Sequence, residues 1–288
     1  MIPAPFAYHR PATVAAAVGL LAGFGEEGRV LAGGHSLVPL MKQRLAQPAN
    51  LIDLAGIAEL KGIRRDGGTI LIGAMTTQAE ILASSELAQL VPIMAETARQ
   101  IADPQVRAMG TLGGNLANGD PGNDMPAVML ALDAAYRVTG KSGARTIKAR
   151  DFYRGIYQTA LAADEILTAI ELPMPAAGHG HAYEKLKRKV GDYATAAAAV
   201  VLTASGGRIA TCAISLTNLD DRPVLAKDAA AAVIGTALDA AAIAKAKNAA
   251  AAVMSPAADT RGTAQYRTSV GAIMVARALS RAFTRAAR

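Results

Sequence analysis

The chain has 288 residues, 52% of them hydrophobic and 18% charged, with a net charge of +7 at pH 7. That is ample apolar material for two or three packed lobes at roughly 100–200 residues each, and too little polarity for a disordered chain. No apolar run reaches the ~20 residues of a membrane span, the single cysteine excludes an internal disulfide, a CxxC zinc site and a cysteine-ligated iron–sulfur cluster on this chain, and 4% aromatics without tryptophan offer no base-stacking platform, so the basic balance does not point to nucleic acid.

From the N-terminus, Val14, Val18, Leu20 and Leu21 share one face, with Thr13 as N-cap and Pro11 just before, which predicts a helix to Phe24. "RVLAGG" and "NLIDL" read as short strands flanking the break Gly33-Gly34-His35-Ser36. The turn Asp66-Gly67-Gly68 leads into a strand, Thr69 to Thr77. Ser85 to Ala102 carries apolar residues at three- and four-residue spacing and reads as one helix. A second double-glycine break follows in "TLGGNLANGDPGND", Thr111 to Asp124. "DMPAVMLALDA" is then a helix with Asp124 at its start, where a carboxylate suits the helix dipole. "AAYRVTGKSGARTIKARDF" is a hairpin around Lys141-Ser142-Gly143, and "DEILTAIELPMP" is an alternating strand. Pro173 to Tyr183, rich in Pro, Gly and Ala, reads as a linker. Beyond it come about three strands with a turn at Ser205-Gly206-Gly207, then helices over Asp239 to Met254 and Thr263 to Arg285. Cys212, in the strand-like "RIATCAISLTNL", reads as a small buried hydrophobe. His179 and His181 have no third ligand near them in sequence, so no metal is assigned. The pattern is α+β throughout.

The two glycine breaks need an explanation. There is no GxGxxG after a strand and no GxxxxGK[ST], so neither a Rossmann site nor a P-loop is supported. Taken singly, a Gly-Gly is most simply a tight turn at positive φ, where a Cβ costs on the order of 1–3 kcal/mol. Taken together, two such turns form a pair of backbone N–H nests able to clamp the two phosphates of one dinucleotide. Ser36 and Asn115 add side-chain donors. The polar run Asn118, Asp120, Asn123 and Asp124 continues the second break, and Asp124 is placed to accept from a ribityl or ribose hydroxyl.

"AGGHSL" and "TLGGN…GDPGND" resemble the two flavin-binding signatures of the FAD-binding medium subunits of molybdenum hydroxylases. "ADPQVRAMGTLGGN", "DEILTAIELP" and "YEKLKRKVGDYATAAAAVVL" extend the likeness over nearly the whole chain. The last block and "GAMTTQ" are most similar to the carbon monoxide dehydrogenase branch. The resemblance implies an α+β fold: a two-lobed FAD-binding domain of the vanillyl-alcohol-oxidase/PCMH type over 1–176, with lobes of about 1–56 and 57–176, then a small C-terminal α+β domain over 178–288. It implies non-covalent FAD, with Ala32, Gly33, Gly34, His35, Ser36 and Leu37 around the pyrophosphate from one side and Thr111, Gly113, Gly114 and Asn115 from the other, and Asp124 at the polar end. Ile101 and Ala102 match a segment near the flavin, Leu167 an apolar contact to the isoalloxazine, Lys185 a lysine near the ring and Tyr193 an aromatic approaching it. From charge alone, Lys185 belongs to a solvated basic patch with Lys187, Arg188 and Lys189; beside the ring, an ammonium would stabilise the negative charge of reduced flavin. His35 stands where several members carry another polar residue.

The same resemblance implies an electron-transfer subunit rather than a complete enzyme, with no catalytic residue of its own. A large subunit would carry the molybdenum cofactor and a small one two [2Fe–2S] clusters, in a dimer of heterotrimers. Electrons would pass from the clusters through FAD to an acceptor such as quinone. The whole complex would oxidise CO; the alternatives are the FAD subunit of a xanthine, nicotinate, caffeine or aldehyde dehydrogenase, or a free-standing FAD-dependent oxidoreductase. A cytoplasmic location is expected, with peripheral membrane association left open. The basic run at 184–192 and the C-terminal domain are where a partner surface would be sought first.

Overall fold

The computed structural model describes residues 2–286; Met1, Ala287 and Arg288 lie outside the described residues. Chain order begins with β1 (Ala7–His9), α1 (Val14–Phe24), β2 (Gly28–Leu31), α2 (Leu37–Lys42) and β3 (Asn50–Asp53). The three strands form a parallel sheet in the order β1-β3-β2. Helix α1 starts as expected: Thr13 Oγ1 accepts from the Ala16 N–H at 3.2 Å. It buries Ala17, Val18 and Leu21 in a small core with Ile52, Leu54 and Ile57. Strand β1 is too short to show a period in sequence. Strand β2 stops at Leu31, so Ala32 to Ser36 leaves the sheet as a free segment.

The second lobe opens with the hairpin β4 (Ile63–Asp66) and β5 (Thr69–Gly73). Six helices follow: α3 (Gln78–Ala83), α4 (Ser85–Leu90), α5 (Ile93–Gln100), α6 (Pro104–Met109), α7 (Leu112–Ala117) and α8 (Asp124–Ala131). Then come β6 (Ala135–Gly140), β7 (Gly143–Lys148), the short pair β8 (Tyr153–Gly155) and β9 (Gln158–Thr159), and β10 (Ile166–Pro173). An antiparallel sheet runs β4-β5-β10-β6-β7, which puts the last strand in the middle. The predicted strand Thr69–Thr77 ends early, at Gly73. There the Leu60 carbonyl comes so close that a Cβ would stand 2.3 Å from its oxygen. Thr77 instead caps α3 in a reciprocal box with Glu80. The single helix expected over Ser85–Ala102 is two helices, because Pro92 has no N–H to continue α4 and instead starts α5. Ile101 and Ala102 lie beyond α5, and Ala102 is in the left-handed region at φ 43°.

The last sheet is antiparallel, β11-β12-β13-β14, from β11 (Gly180–Leu186), β12 (Ala196–Ser205), β13 (Arg208–Thr217) and the short β14 (Val224–Leu225). Helices α9 (Lys227–Ala231), α10 (Ala240–Ala252) and α11 (Ala264–Arg285) complete the chain. The expected linker is shorter than its composition suggests. Pro173 ends β10 and Gly180–Tyr183 pairs with Ala199–Leu202 of β12, which leaves 174–179 as the connection. Gly180 is a packing position: a Cβ there would stand 2.0 Å from the Ala282 carbonyl oxygen of α11. Strand β12 shows period-two burial on both faces. Ala196, Ala198, Val200 and Leu202 face a core with α10 and α11, while Ala197 and Ala199 join Tyr183 in the core that holds α8. Cys212 lies in β13 opposite Leu202, half-buried, its thiol pushed up to about 12 by burial. No helix of the described residues is long and apolar enough to cross a membrane.

Gly180→Ala is expected to cost about 1–3 kcal/mol, because a methyl group must be forced against backbone that cannot swing aside. Gly68→Ala meets nothing within 4 Å and should change stability by less than about 0.5 kcal/mol. Urea unfolding of both variants checks the pair; equal losses would contradict this account of Gly180.

Candidate functional site

One cleft of about 800 Å³ lies between the two N-terminal lobes and the start of the C-terminal sheet. Its wall includes Ala32, Gly33, Gly34, His35, Ser36 and Leu37 after β2, and Thr111, Gly113, Gly114 and Asn115 at α7. Ile101, Ala102, Asp124, Leu167, Lys185 and Tyr193 complete the set named from sequence; the structure brings all of these residues to the same cavity.

The two glycine segments touch each other. A Cβ on Gly33 would stand 2.2 Å from the Met109 carbonyl oxygen and 2.8 Å from Gly110 Cα. One on Gly114 would meet Thr111 Oγ1 at 2.8 Å and Ala32 Cβ at 3.3 Å, and one on Gly113 would strike Ala74 at 2.6 Å. This corrects the expected reason for the glycines. Only Gly34 of the four has positive φ, at 76°; the others are glycine because of close approach. The second segment is also not a free turn but the first turn of α7, with Thr111 Oγ1 accepting from the Gly114 N–H at 3.0 Å.

The polar run after α7 is held by its own side chains and by later elements. Asp120 Oδ1 accepts from the Gly122 N–H at 2.9 Å, and Asp120 Oδ2 from the Tyr157 hydroxyl at 3.1 Å. Asn123 Nδ2 donates to the Asn115 carbonyl at 2.7 Å, and the Asn218 N–H to the Pro121 carbonyl at 2.9 Å. Tyr193 is exposed on the rim, its ring against Gly122, with the Arg261 guanidinium 5.7 Å from the ring centroid.

Asp124 does not offer a free carboxylate. Its Oδ1 accepts from the Tyr183 hydroxyl at 2.5 Å and its Oδ2 from Lys185 Nζ at 2.8 Å. The Lys185 and Asp124 side chains are 1% and 6% exposed, so Lys185 is a buried ion-pair partner and not part of a solvated patch. Burial pushes the Asp124 carboxyl above the usual carboxylate range, against the pull of the Lys185 ammonium and the Tyr183 hydroxyl. Lys185 Nζ also donates to the Gln100 carbonyl at 3.3 Å, and Lys187 Nζ to the Gln100 side-chain oxygen at 2.9 Å. Arg107 donates to the Ile101 carbonyl at 2.8 Å. Three cations therefore hold the 100–102 segment at the cleft, and only Arg188 and Lys189 of the basic run are exposed.

Sequence reasoning did not name Gln78, Tyr157, Thr159 or Asp192, which also line the cleft. Gln78 opens α3 directly after what reads as a strand, and Tyr157 and Thr159 belong to a hairpin too short to carry a pattern. Asp192 is recognisable only by its partners Arg188 and Arg261, at 2.9 and 3.0 Å. Among the described residues no group of three or more His, Cys, Asp or Glu is placed to hold a metal ion.

A deep cleft with a glycine-lined wall and a buried ion pair at one end suits an elongated, partly anionic cofactor. The chain belongs to the flavoprotein family of molybdenum hydroxylases: residues 4–175 match the FAD binding domain in molybdopterin dehydrogenase, and residues 181–282 match the CO dehydrogenase flavoprotein C-terminal domain. Within it, the chain is 58% identical to the carbon monoxide dehydrogenase medium chain of Afipia carboxidovorans, over 85% of each chain. It is 42% identical to the nicotine 6-hydroxylase medium subunit of Paenarthrobacter nicotinovorans, over 73% of each. A solved carbon monoxide dehydrogenase from Hydrogenophaga pseudoflava superposes with a TM-score of 0.98 at 48% identity, covering 100% of both chains. The cavity fits FAD on its own evidence. Asn115 Oδ1 is buried in the wall without a hydrogen-bond partner in the protein, and a Cβ at Gly33 would overlap the Met109–Gly110 backbone and force the two wall segments apart.

Lys185→Met should cost about 3–5 kcal/mol at neutral pH, since it leaves a buried carboxylate without its counter-ion. In that variant the Asp124 carboxyl is raised further in the folded state than in the unfolded chain. The folded form then holds the proton more tightly, so its stability is favoured at low pH and lost as pH rises through the folded value. The gap to wild type should therefore narrow on acidification. A loss that stays constant from pH 8 to pH 5 in urea unfolding would contradict the ion pair.

Proposed function

We propose that this chain is the FAD-carrying electron-transfer subunit of an aerobic carbon monoxide dehydrogenase. The reading rests on one observation above others: two glycine segments 80 residues apart in sequence meet at one cleft, in a chain 58% identical to such a medium chain. The proposed division is an FAD-binding domain over 1–176, with lobes of about 1–56 and 57–176, and a C-terminal domain over 178–288. The proposed partners are a molybdenum-cofactor large subunit and a [2Fe–2S] small subunit, assembled as a dimer of heterotrimers in the cytoplasm, with quinone as the electron sink.

In this reading Ala32 to Leu37, with Thr111, Gly113, Gly114 and Asn115, hold the diphosphate. Ile101, Ala102, Leu167 and Tyr193 enclose the ring and keep water from it. FAD supplies a centre that joins one-electron donors to two-electron acceptors, so the protein needs no general base. Lys185 is oriented by Asp124, and as an ion pair the two add no net charge. The remaining positive field at the 100–102 segment comes from Lys187 and Arg107, which cap its carbonyls and side chain. A second reading, the same subunit in a hydroxylase of a nitrogen heterocycle, is favoured by the 42% likeness to the nicotine 6-hydroxylase medium subunit.

Co-purification decides between the readings. The expected result is a complex with molybdenum, iron and one acid-releasable FAD per chain, which oxidises CO with a quinone as acceptor. Turnover of a heterocycle but not CO would select the second reading. Turnover of any hydroxylase substrate by the flavin-loaded chain alone would overturn both, and flavin remaining in the acid-precipitated pellet would contradict non-covalent binding.

Gly33→Val and Gly114→Val should abolish flavin retention while leaving the circular dichroism spectrum close to wild type, because the added carbons push the two segments apart. Wild-type flavin content in either variant would show that these glycines serve packing alone.

A further inference from the structure

Gln78 is 2% exposed, and neither its Nε2 nor its Oε1 has a hydrogen-bond partner in the protein. It lines the cleft. Its position is tightly set: Thr77 caps α3 through Glu80, and the Gln78 N–H donates to the Gly110 carbonyl at 2.9 Å. A Gly33 Cβ would fall on the adjoining Met109–Gly110 backbone, nearest the Met109 carbonyl oxygen, so Gln78 is tied to the place where the two glycine segments meet. A buried primary amide with neither donor nor acceptor used is costly to the folded chain, and an apolar side chain of the same length would avoid that cost. The same amide presents a donor and an acceptor side by side, whichever way it is turned.

We propose that Gln78 is a recognition residue for the dinucleotide, its amide N–H donating to a phosphate oxygen and its carbonyl accepting from a neighbouring sugar hydroxyl. This rests on the reading of the cleft as an FAD site. A neutral amide suits the place, since it grips the diphosphate without adding a charge that would need burial when the cofactor leaves. The cost carried by the empty chain and the gain on binding are two faces of one arrangement, and they predict effects of opposite sign.

The test uses the full chain, alone and with its partner subunits, in wild-type, Gln78→Met and Gln78→Glu forms. FAD dissociation constants come from flavin fluorescence, and melting temperatures from the deflavinated protein. Gln78→Met should bind FAD roughly ten-fold more weakly, the loss of about one hydrogen bond or more. Its deflavinated form should melt at or above the wild-type temperature. Gln78→Glu keeps the shape and the acceptor but sets a carboxylate against phosphate, so it should bind more weakly still. Wild-type FAD affinity in Gln78→Met, or a lower melting temperature of its deflavinated form, would overturn the proposal in favour of a packing role. Failure of the wild-type protein to take up FAD would instead overturn the reading of the cleft itself.

Discussion

The Asp124 carboxylate sets the arrangement of everything around the cleft. It is the first residue of α8, where the unpaired N–H groups of a helix start favour negative charge. But α8 is buried on every side, so that charge has no water to solvate it. It must find partners in protein, and both come from one strand. Tyr183 and Lys185 stand two residues apart on the same face of β11 and take one carboxylate oxygen each. A buried charge left half-satisfied would be a severe penalty, so this pairing is one of the ties that hold the C-terminal sheet against the second lobe, beside the apolar contacts of α8 with Tyr183, Ala197 and Ala199. It also brings β11, and with it Lys185, to the edge of the cavity.

The second constraint is steric. Two walls of the cleft meet where Ala32 and Gly33, leaving a parallel sheet, run against Met109, Gly110 and Gly114 of a different lobe. Side chains at these points would hold the backbones apart by the width of a methyl group. Gly34 differs from its neighbour: its positive φ turns the chain so that α2 can begin at Leu37. Two adjacent glycines thus answer two separate demands, one of contact and one of backbone conformation.

The basic run is divided across the end of β11. Lys185 and Lys187 turn inward to Asp124 and Gln100, while Arg188 and Lys189 remain outside. The inward pair, with Arg107, ties down a short segment that leaves α5 through a left-handed alanine. A stretch that looks like a single surface patch is therefore divided between a structural role at the cleft and a residual exposed charge.

Read on its own, the sequence determined the α+β class, the cap of α1, the start of α8 at Asp124, the hairpin of β6 and β7, and the family. Those features are local: a side chain capping three residues ahead, a two-residue turn, a run of glycines and small polar residues in fixed order. Through motif likeness it also named many of the residues that line the cleft, but not Gln78, Tyr157, Thr159 or Asp192, and not how they meet. Tertiary structure alone decided what each does. That Asp124 spends both oxygens on β11, that Gly33 is glycine because of the Met109–Gly110 backbone, and that Gly180–Tyr183 is strand and not linker all depend on what lies opposite in space. Periodicity records which face of an element is buried; it carries no record of the partner that buries it, and at this site the partners are 59 to 82 residues away.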